Sequence, residues 1–199
     1  VVGTIGVVYV TSGHHDEEVR LTLEATIDIA NALIDATDAE SAAGAGVDLR
    51  RILVDHGFTR APDASAASVR RVEQRMQELL PLLRTLPDGE VDDAVRWVNG
   101  ALGSIDVEPS LIAHHGAPLH IHWTRSSSTF DDQVVADVLM AIAQELVDHG
   151  TDRFGVCSAD HCDHLFYDAT RNRSRRFCAD QRCASRTHTA QHRARQKHG

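Results

Sequence analysis

The chain has 199 residues, 42% of them hydrophobic, 5% aromatic and 25% charged, with a formal net charge of −9. That balance excludes a disordered or fibrous chain, and no apolar stretch approaches the roughly 18–20 residues of a membrane helix. The length suits one ordinary domain with a small appendage, burying roughly 70% of the unfolded surface. Val1–Val10 is apolar but short. Without a basic flank or a clear cleavage site it is not expected to act as a signal peptide. The chain opens on Val, so the true N-terminus is left open.

In chain order, Val19, Leu21, Leu23 and Ala25 alternate with polar residues, which suggests a strand, and 19–25 is left open on that ground. Ile27, Ala30, Leu33 and Ile34 then predict a helix over 26–36. Asp48 reads as the N-cap of a short helix carrying Leu49, Ile52 and Leu53 and closed by Gly57. Asp63 is the candidate cap of a longer helix through Val69, Val72, Met76, Leu79 and Leu83, with a kink expected at Pro81. Another helix is expected from about Asp88 to Leu102, with Val91, Val95, Val98 and Leu102 on one face.

Ser110–Ala113 and Pro118–Thr124 predict a hairpin around His114-His115-Gly116-Ala117. It turns Leu119, Ile121 and Trp123 one way and His120 and His122 the other. Asp131 or Asp132 should open the clearest helix, with Val134, Val135, Val138, Leu139, Ile142 and Leu146 on its apolar face and an end at His149-Gly150. The fold class expected is mainly α with a small β-hairpin (α+β): a helical body over 1–152, and a four-cysteine zinc finger ending in a basic helix over 153–199.

Charge and cysteine divide at the same place. Residues 153–199 hold ten of the 20 Lys and Arg but only four of the 29 acids, while residues 1–152 carry fifteen more acids than bases. All four cysteines, Cys157, Cys162, Cys178 and Cys183, lie in the basic segment. Two pairs, each separated by four residues and joined by fifteen, suit one tetrahedral site with four thiolate ligands. Zinc suits that set, and a closed shell makes the metal structural rather than catalytic. Two disulfides, or four unrelated thiols, are the alternatives, and disulfides are disfavoured because nothing indicates secretion and the body has no cysteine. His161 and His164 flank the first pair and can replace a thiol. The bulky core candidates of the segment are Phe154, Val156, Leu165, Phe166, Tyr167 and Phe177, so its fold is expected to depend on the metal. Any one Cys→Ser change is then expected to loosen 153–199 and leave the body folded.

The cations are ordered around those cysteines. Arg171, Arg173, Arg175 and Arg176 crowd one turn. On a helix opening at Cys183, Arg182, Arg186, Arg193 and Lys197 fall within about 60° of one another. Cys183, Thr187, Ala190 and Ala194 make the neighbouring face. Such a helix can be anchored on one side while its basic face meets phosphates. A solvated charged helix is the alternative.

These residues resemble the CGNR zinc finger. The pair is Cys157 and Cys162, the aromatic strand Leu165-Phe166-Tyr167, and the arginine run Asp168–Cys178. Cys183-Ala184-Ser185-Arg186 stands at the Cys-Gly-Asn-Arg motif, with Ala for Gly and Ser for Asn. The body resembles the ABATE domain that partners this finger in stress-induced transcription regulators. Asp28-Ile29-Ala30-Asn31-Ala32 and Asp48–Phe58 stand at that domain's two elements. The resemblance implies a sensor-like body and a nucleic-acid-binding tail.

Other constellations are weaker. His114, His115, His120 and His122 can hold a second metal, although one exposed hairpin face explains them as well. Asn31 and Trp97 either line a ligand pocket or are a core-satisfied amide and a half-buried ring. Ser110, His114 and Asp106 are too local for a hydrolytic triad, and with no phosphate-binding glycine loop and no HExxH an enzyme is not expected. The expected function is that of a cytoplasmic, zinc-binding, DNA-binding transcriptional regulator with no membrane association. Its body is expected to sense a small-molecule effector or form a homodimer. The alternative is a zinc-stabilised protein-interaction module with no direct nucleic-acid binding.

Overall fold

A computed structural model describes residues 13–39, 47–112 and 120–197. Val1–Val10, His114, His115 and the rest of the hairpin tip lie outside the described residues. Among the described residues six helices and two small antiparallel hairpins follow one another: α1 (Gly13–Ala39), α2 (Leu49–Asp55), α3 (Ala66–Thr85), α4 (Val91–Leu102), β1 (Ser110–Ile112), β2 (His120–His122), α5 (Phe130–His149), β3 (Phe154–Val156), β4 (Leu165–Tyr167) and α6 (Gln181–Lys197).

The α5 helix is central, packed against α1, α3 and α4. Its expected apolar face is buried throughout, with Val134, Val138, Leu139 and Ile142 fully so. Its cap is Thr129, whose hydroxyl accepts from the Asp132 amide, rather than Asp131 or Asp132. Asp131 is instead drawn across to α3, where its carboxylate accepts from Arg71 Nε at 2.9 Å. Burial opposes its charge, but the Arg71 hydrogen bond and backbone donors hold the carboxyl below its ordinary range.

α1 corrects the open strand over 19–25. One helix runs through it, because Leu23, Ile27, Ala30 and Ile34 continue a single buried stripe at helical spacing while Val19 and Leu21 stay half-exposed. Arg20 bridges Glu17 and Glu24 one turn to either side, which supports the helix there. α2 is capped by Asp48 as expected, its carboxylate accepting from Arg51 N at 3.2 Å. Gly57 takes φ +83° just beyond the helix, a conformation that favours glycine.

The cap of α3 is Ser65, which accepts from Ser68 N, and not Asp63. The helix continues past Pro81 to Thr85. Pro81 is exposed, and so is Gln77, whose carbonyl loses a helical donor there. α4 turns part of its expected face inward: Val98 is buried and Leu102 packs against the core, while Val91 and Val95 are 39% exposed and Ala94 is buried in their place.

The first hairpin pairs Ser110 with His122, Leu111 with Ile121 and Ile112 with His120. The second, β3–β4, pairs Phe154 with Tyr167 and Val156 with Leu165. At Gly155 a Cβ would stand 2.2 Å from the Phe166 ring, so only glycine allows that ring to lie across the strand. Phe154, Leu165 and Tyr167 join the same apolar core as α1, α3 and α5. Val156, an expected core residue, is 40% exposed.

Asn31 fastens this hairpin to α1. Its Nδ2 donates to Leu165 O at 3.0 Å and its Oδ1 accepts from Leu165 N at 2.8 Å, an antiparallel strand partner made from one side chain. Replacing Asn31 by alanine leaves a buried amide and carbonyl without partners and is expected to cost about 3 kcal/mol, read as a lower urea midpoint at unchanged slope.

Candidate metal centre and nucleic-acid interface

Each cysteine pair closes on a turn. Cys157 leaves β3 with its amide donating to His164 O at 2.9 Å, and Ser158 N reaches Arg176 O at 2.8 Å, which draws the two turns together. His161 takes φ 61° within the first turn. Cys178 and Cys183 flank the second turn, where Cys183 N donates to Asp180 O at 3.0 Å and α6 begins. All four sulfurs lie within 4.8 Å of one another. The Cys162–Cys178, Cys178–Cys183 and Cys183–Cys162 separations are 3.9, 3.8 and 3.7 Å. A tetrahedron with zinc–sulfur bonds of about 2.3 Å has edges of about 3.8 Å.

The donor set and its spacing therefore fit one structural zinc ion, and no disulfide joins the four cysteines, the sulfur separations above being well beyond an S–S bond of about 2.05 Å. Neither flanking histidine is needed. His164 Nε2 is 2.7 Å from Asp35 Oδ1 on α1, a second tie between the segment and the body. Three of the four cysteines are buried, in a small cluster of their own with Ala159, Cys162 and Phe177 packed beside them.

Residues 153–196 match the CGNR zinc finger. No curated protein matches the chain. The matching segment is built in two parts, a hairpin that shares the body's core and a cysteine knuckle set beyond it.

Because every thiol must shed its proton to bind, zinc retention falls as pH falls. Each proton released on binding weakens retention by about tenfold per pH unit below the thiol range. Acidifying from neutral pH should release zinc to a colorimetric chelator cooperatively with loss of helix signal, whereas release without spectral change would mean that the fold does not need it.

Around the knuckle the arginines separate by what they touch. Arg175 donates to Phe177 O and Tyr167 O at 2.9 and 3.2 Å and lies over the Phe166 ring at 5.7 Å. Arg173 reaches Asp152 at 3.0 Å. Arg182 pairs with Asp180 at 2.8 Å, and that hydrogen bond pulls the Asp180 carboxyl down to about 2. Arg175 therefore braces the finger, while Arg173 and Arg182 make ion pairs at the surface. Arg176 lies 6.0 Å from the Phe177 ring, with its guanidinium exposed. Arg171, Arg186 and Arg193 are exposed as well. The side chain of Lys197 lies outside the described residues. Asp168 organises the arginine turn from inside, its carboxylate accepting from Thr170 N and Arg175 N at 2.8 and 2.7 Å. Burial works against that charge, and the hydrogen bonds from Thr170 and Arg175 outweigh it and lower the carboxyl.

Two features escaped the sequence reading. Glu145 is 4% exposed in the middle of the α5 core, where its Oε2 accepts from Tyr167 OH at 2.9 Å and its Oε1 is 3.0 Å from His149 Nδ1. An acid three residues after Ile142, on the apolar stripe, was the available signal. Arg153 Nη1 donates to Asp168 O at 2.8 Å while its Nε lies 3.5 Å from Glu145 Oε1, joining α5 to the finger. Asn31 was a candidate ligand contact; both ends of its amide are held by Leu165, the arrangement of a core-satisfied side chain. Trp97 is 38% exposed on α4.

Proposed function

We propose that the chain is a cytoplasmic DNA-binding transcriptional regulator, with residues 1–152 as sensor or homodimerisation body and 153–199 as the DNA-contacting part. The observation that supports it most is the placing of α6. The helix is fastened at Cys183 beside the metal site, and Arg186 and Arg193 are exposed farther along it. Arg171 and Arg176 add exposed cations on the neighbouring turn. A zinc-anchored helix with free guanidinium groups suits phosphate contact.

The ABATE resemblance gains physical content in this reading. Asp28 of one element lies 2.8 Å from His56 of the other, and Asn31 grips the finger's strand. In this reading the protein is not an enzyme, its zinc is structural, and it has no membrane partner. No helix among the described residues is long and apolar enough to cross a membrane.

Salt-dependent binding to duplex DNA tests the reading. Arg193→Ala should weaken binding similarly on all sequences and lower the salt slope by about one. Arg186→Ala with zinc retained and sequence preference lost indicates base readout. No duplex binding even at low salt, or binding that survives charge reversal of Arg186 and Arg193 together, overturns the DNA reading in favour of a protein-interaction module.

A further inference from the structure

None of the 17 residues of α6 is Asp or Glu. At about 100° per residue, Ser185, Thr189, His192 and Gln196 fall within about 60° of one another, about 150° round the helix from Cys183. Cys183 is buried at the metal site and these four are exposed, so an uncharged, hydrogen-bonding stripe points away from the knuckle. Thr189 Oγ1 donates back to Ser185 O at 2.8 Å and keeps its lone pairs for an incoming donor. Exposed cations flank the stripe on both sides. Arg186 and Arg193 stand about 80° to one side of its centre, and Arg195 about 90° to the other. His188, next to Arg195 around the helix, meets the Phe177 ring edge-on at 5.8 Å. The Arg176 guanidinium lies 6.0 Å from that same ring, which sets Arg176 on the Arg195 side.

We propose that α6 lies in the major groove of B-form DNA, with Ser185, Thr189, His192 and Gln196 reading base edges and the two arginine rows holding the phosphates of the two groove walls. The order of charge across the helix favours this partner. The groove has hydrogen-bonding base edges on its floor and a row of phosphates on either side, and α6 carries the complement of that pattern. The size agrees as well. A helix about 10–12 Å across enters a groove about 12 Å wide, and the stripe from Ser185 to Gln196 extends about 16 Å, the rise of about five base pairs. Gln196 has the amide that pairs bidentately with adenine N6 and N7. Duplex RNA is a poorer partner, because side chains cannot read its narrow major groove. An acidic protein surface would meet the arginines but has no need of an uncharged stripe between them.

Base readout by the stripe rests on the DNA-binding reading, and the two fail separately. The zinc-loaded full chain is used to select its preferred duplex from a randomised pool, and affinities for that duplex and a scrambled one are compared across salt concentrations. Thr189→Ala, His192→Ala and Gln196→Ala are each expected to lower the discrimination about tenfold, the worth of one good side-chain–base pair. The salt slope and zinc content should stay as they were, since no cation and no thiol is removed. Alanine at exposed helical positions keeps the helix, and three separate variants guard against the failure of one. Arg186→Ala and Arg195→Ala are expected to do the opposite: the selected sequence stays and the salt slope falls by about one in each. Full discrimination in all three stripe variants, or duplex binding with no selected sequence, overturns base readout and leaves phosphate binding standing. A changed selected sequence in Arg186→Ala or Arg195→Ala puts an arginine row at the base edges and overturns the assignment of faces. No duplex binding even at low salt removes both readings together.

Discussion

Cys178→Ser is expected to strip the zinc and melt α6 and both knuckles while leaving β3–β4 in place. The reason is the division of the finger between two clusters. Leu165 and Tyr167 are 2% and 7% exposed within the body's core and are held there by Asn31 and Glu145. Around the sulfurs there is only a thin shell of Ala159 and Phe177. Structural zinc supplies on the order of 10 kcal/mol to such small folds, far more than that shell can replace. Metal content should fall from one zinc per chain. Hydrogen exchange should become fast over 181–197 and stay slow over 165–167. Full zinc retention in the variant would remove Cys178 from the ligand set. Loss of protection in the hairpin together with α6 would show that the finger folds as one unit, as its basic, cysteine-bearing composition suggests.

Leu139→Asp is expected to unfold the body altogether. Leu139 has no exposed surface and sits on the helix that α1, α3 and α4 all pack against. An unpaired carboxylate at such a site costs several kcal/mol, which is comparable with a total stability of about 5–15 kcal/mol. Neither Glu145 nor Asp131 is a precedent for tolerance, since Tyr167 OH donates to the one and Arg71 to the other, whereas Leu139 belongs to the apolar core cluster. Circular dichroism should show no cooperative transition. A soluble Leu139→Asp protein with a sharp thermal transition would place α5 at the periphery.

What could be read without coordinates follows from range. Asp48 and Gly57 bracket α2 through contacts three to five residues long, and the thiol spacing encodes two local turns, so both were legible. The α5 stripe was legible because its period is unbroken. At 19–25 the alternate residues Val19, Leu21, Leu23 and Ala25 satisfy a strand's period while also falling on a helix, and only packing against α5 decides between them. Ser65 and Thr129 displaced acidic candidates as caps because a hydroxyl and a carboxylate compete for the same amides, and the outcome depends on where the chain turns. Asp131 was removed from capping by Arg71, sixty residues away. The least legible contact was that between Asn31 and Leu165, 134 positions apart. Its side chain pairs with backbone, and backbone has no letter in the sequence.

That clamp has a mechanical consequence. α6 has 17 residues and so extends about 25 Å from its root at the metal site. Among the described residues no helix or strand packs extensively along it, whereas the knuckle at its root is tied through Arg175 to Tyr167 O of the hairpin gripped by Asn31 and Glu145. The helix is thus a lever with its fulcrum against the body's core. A tilt of about 10° at the fulcrum sweeps the far end through about 4 Å, more than half the width of the roughly 6 Å minor groove of DNA. Side-chain adjustments of a few tenths of an ångström between α1 and β4 are therefore geometrically amplified at the arginines farthest from them.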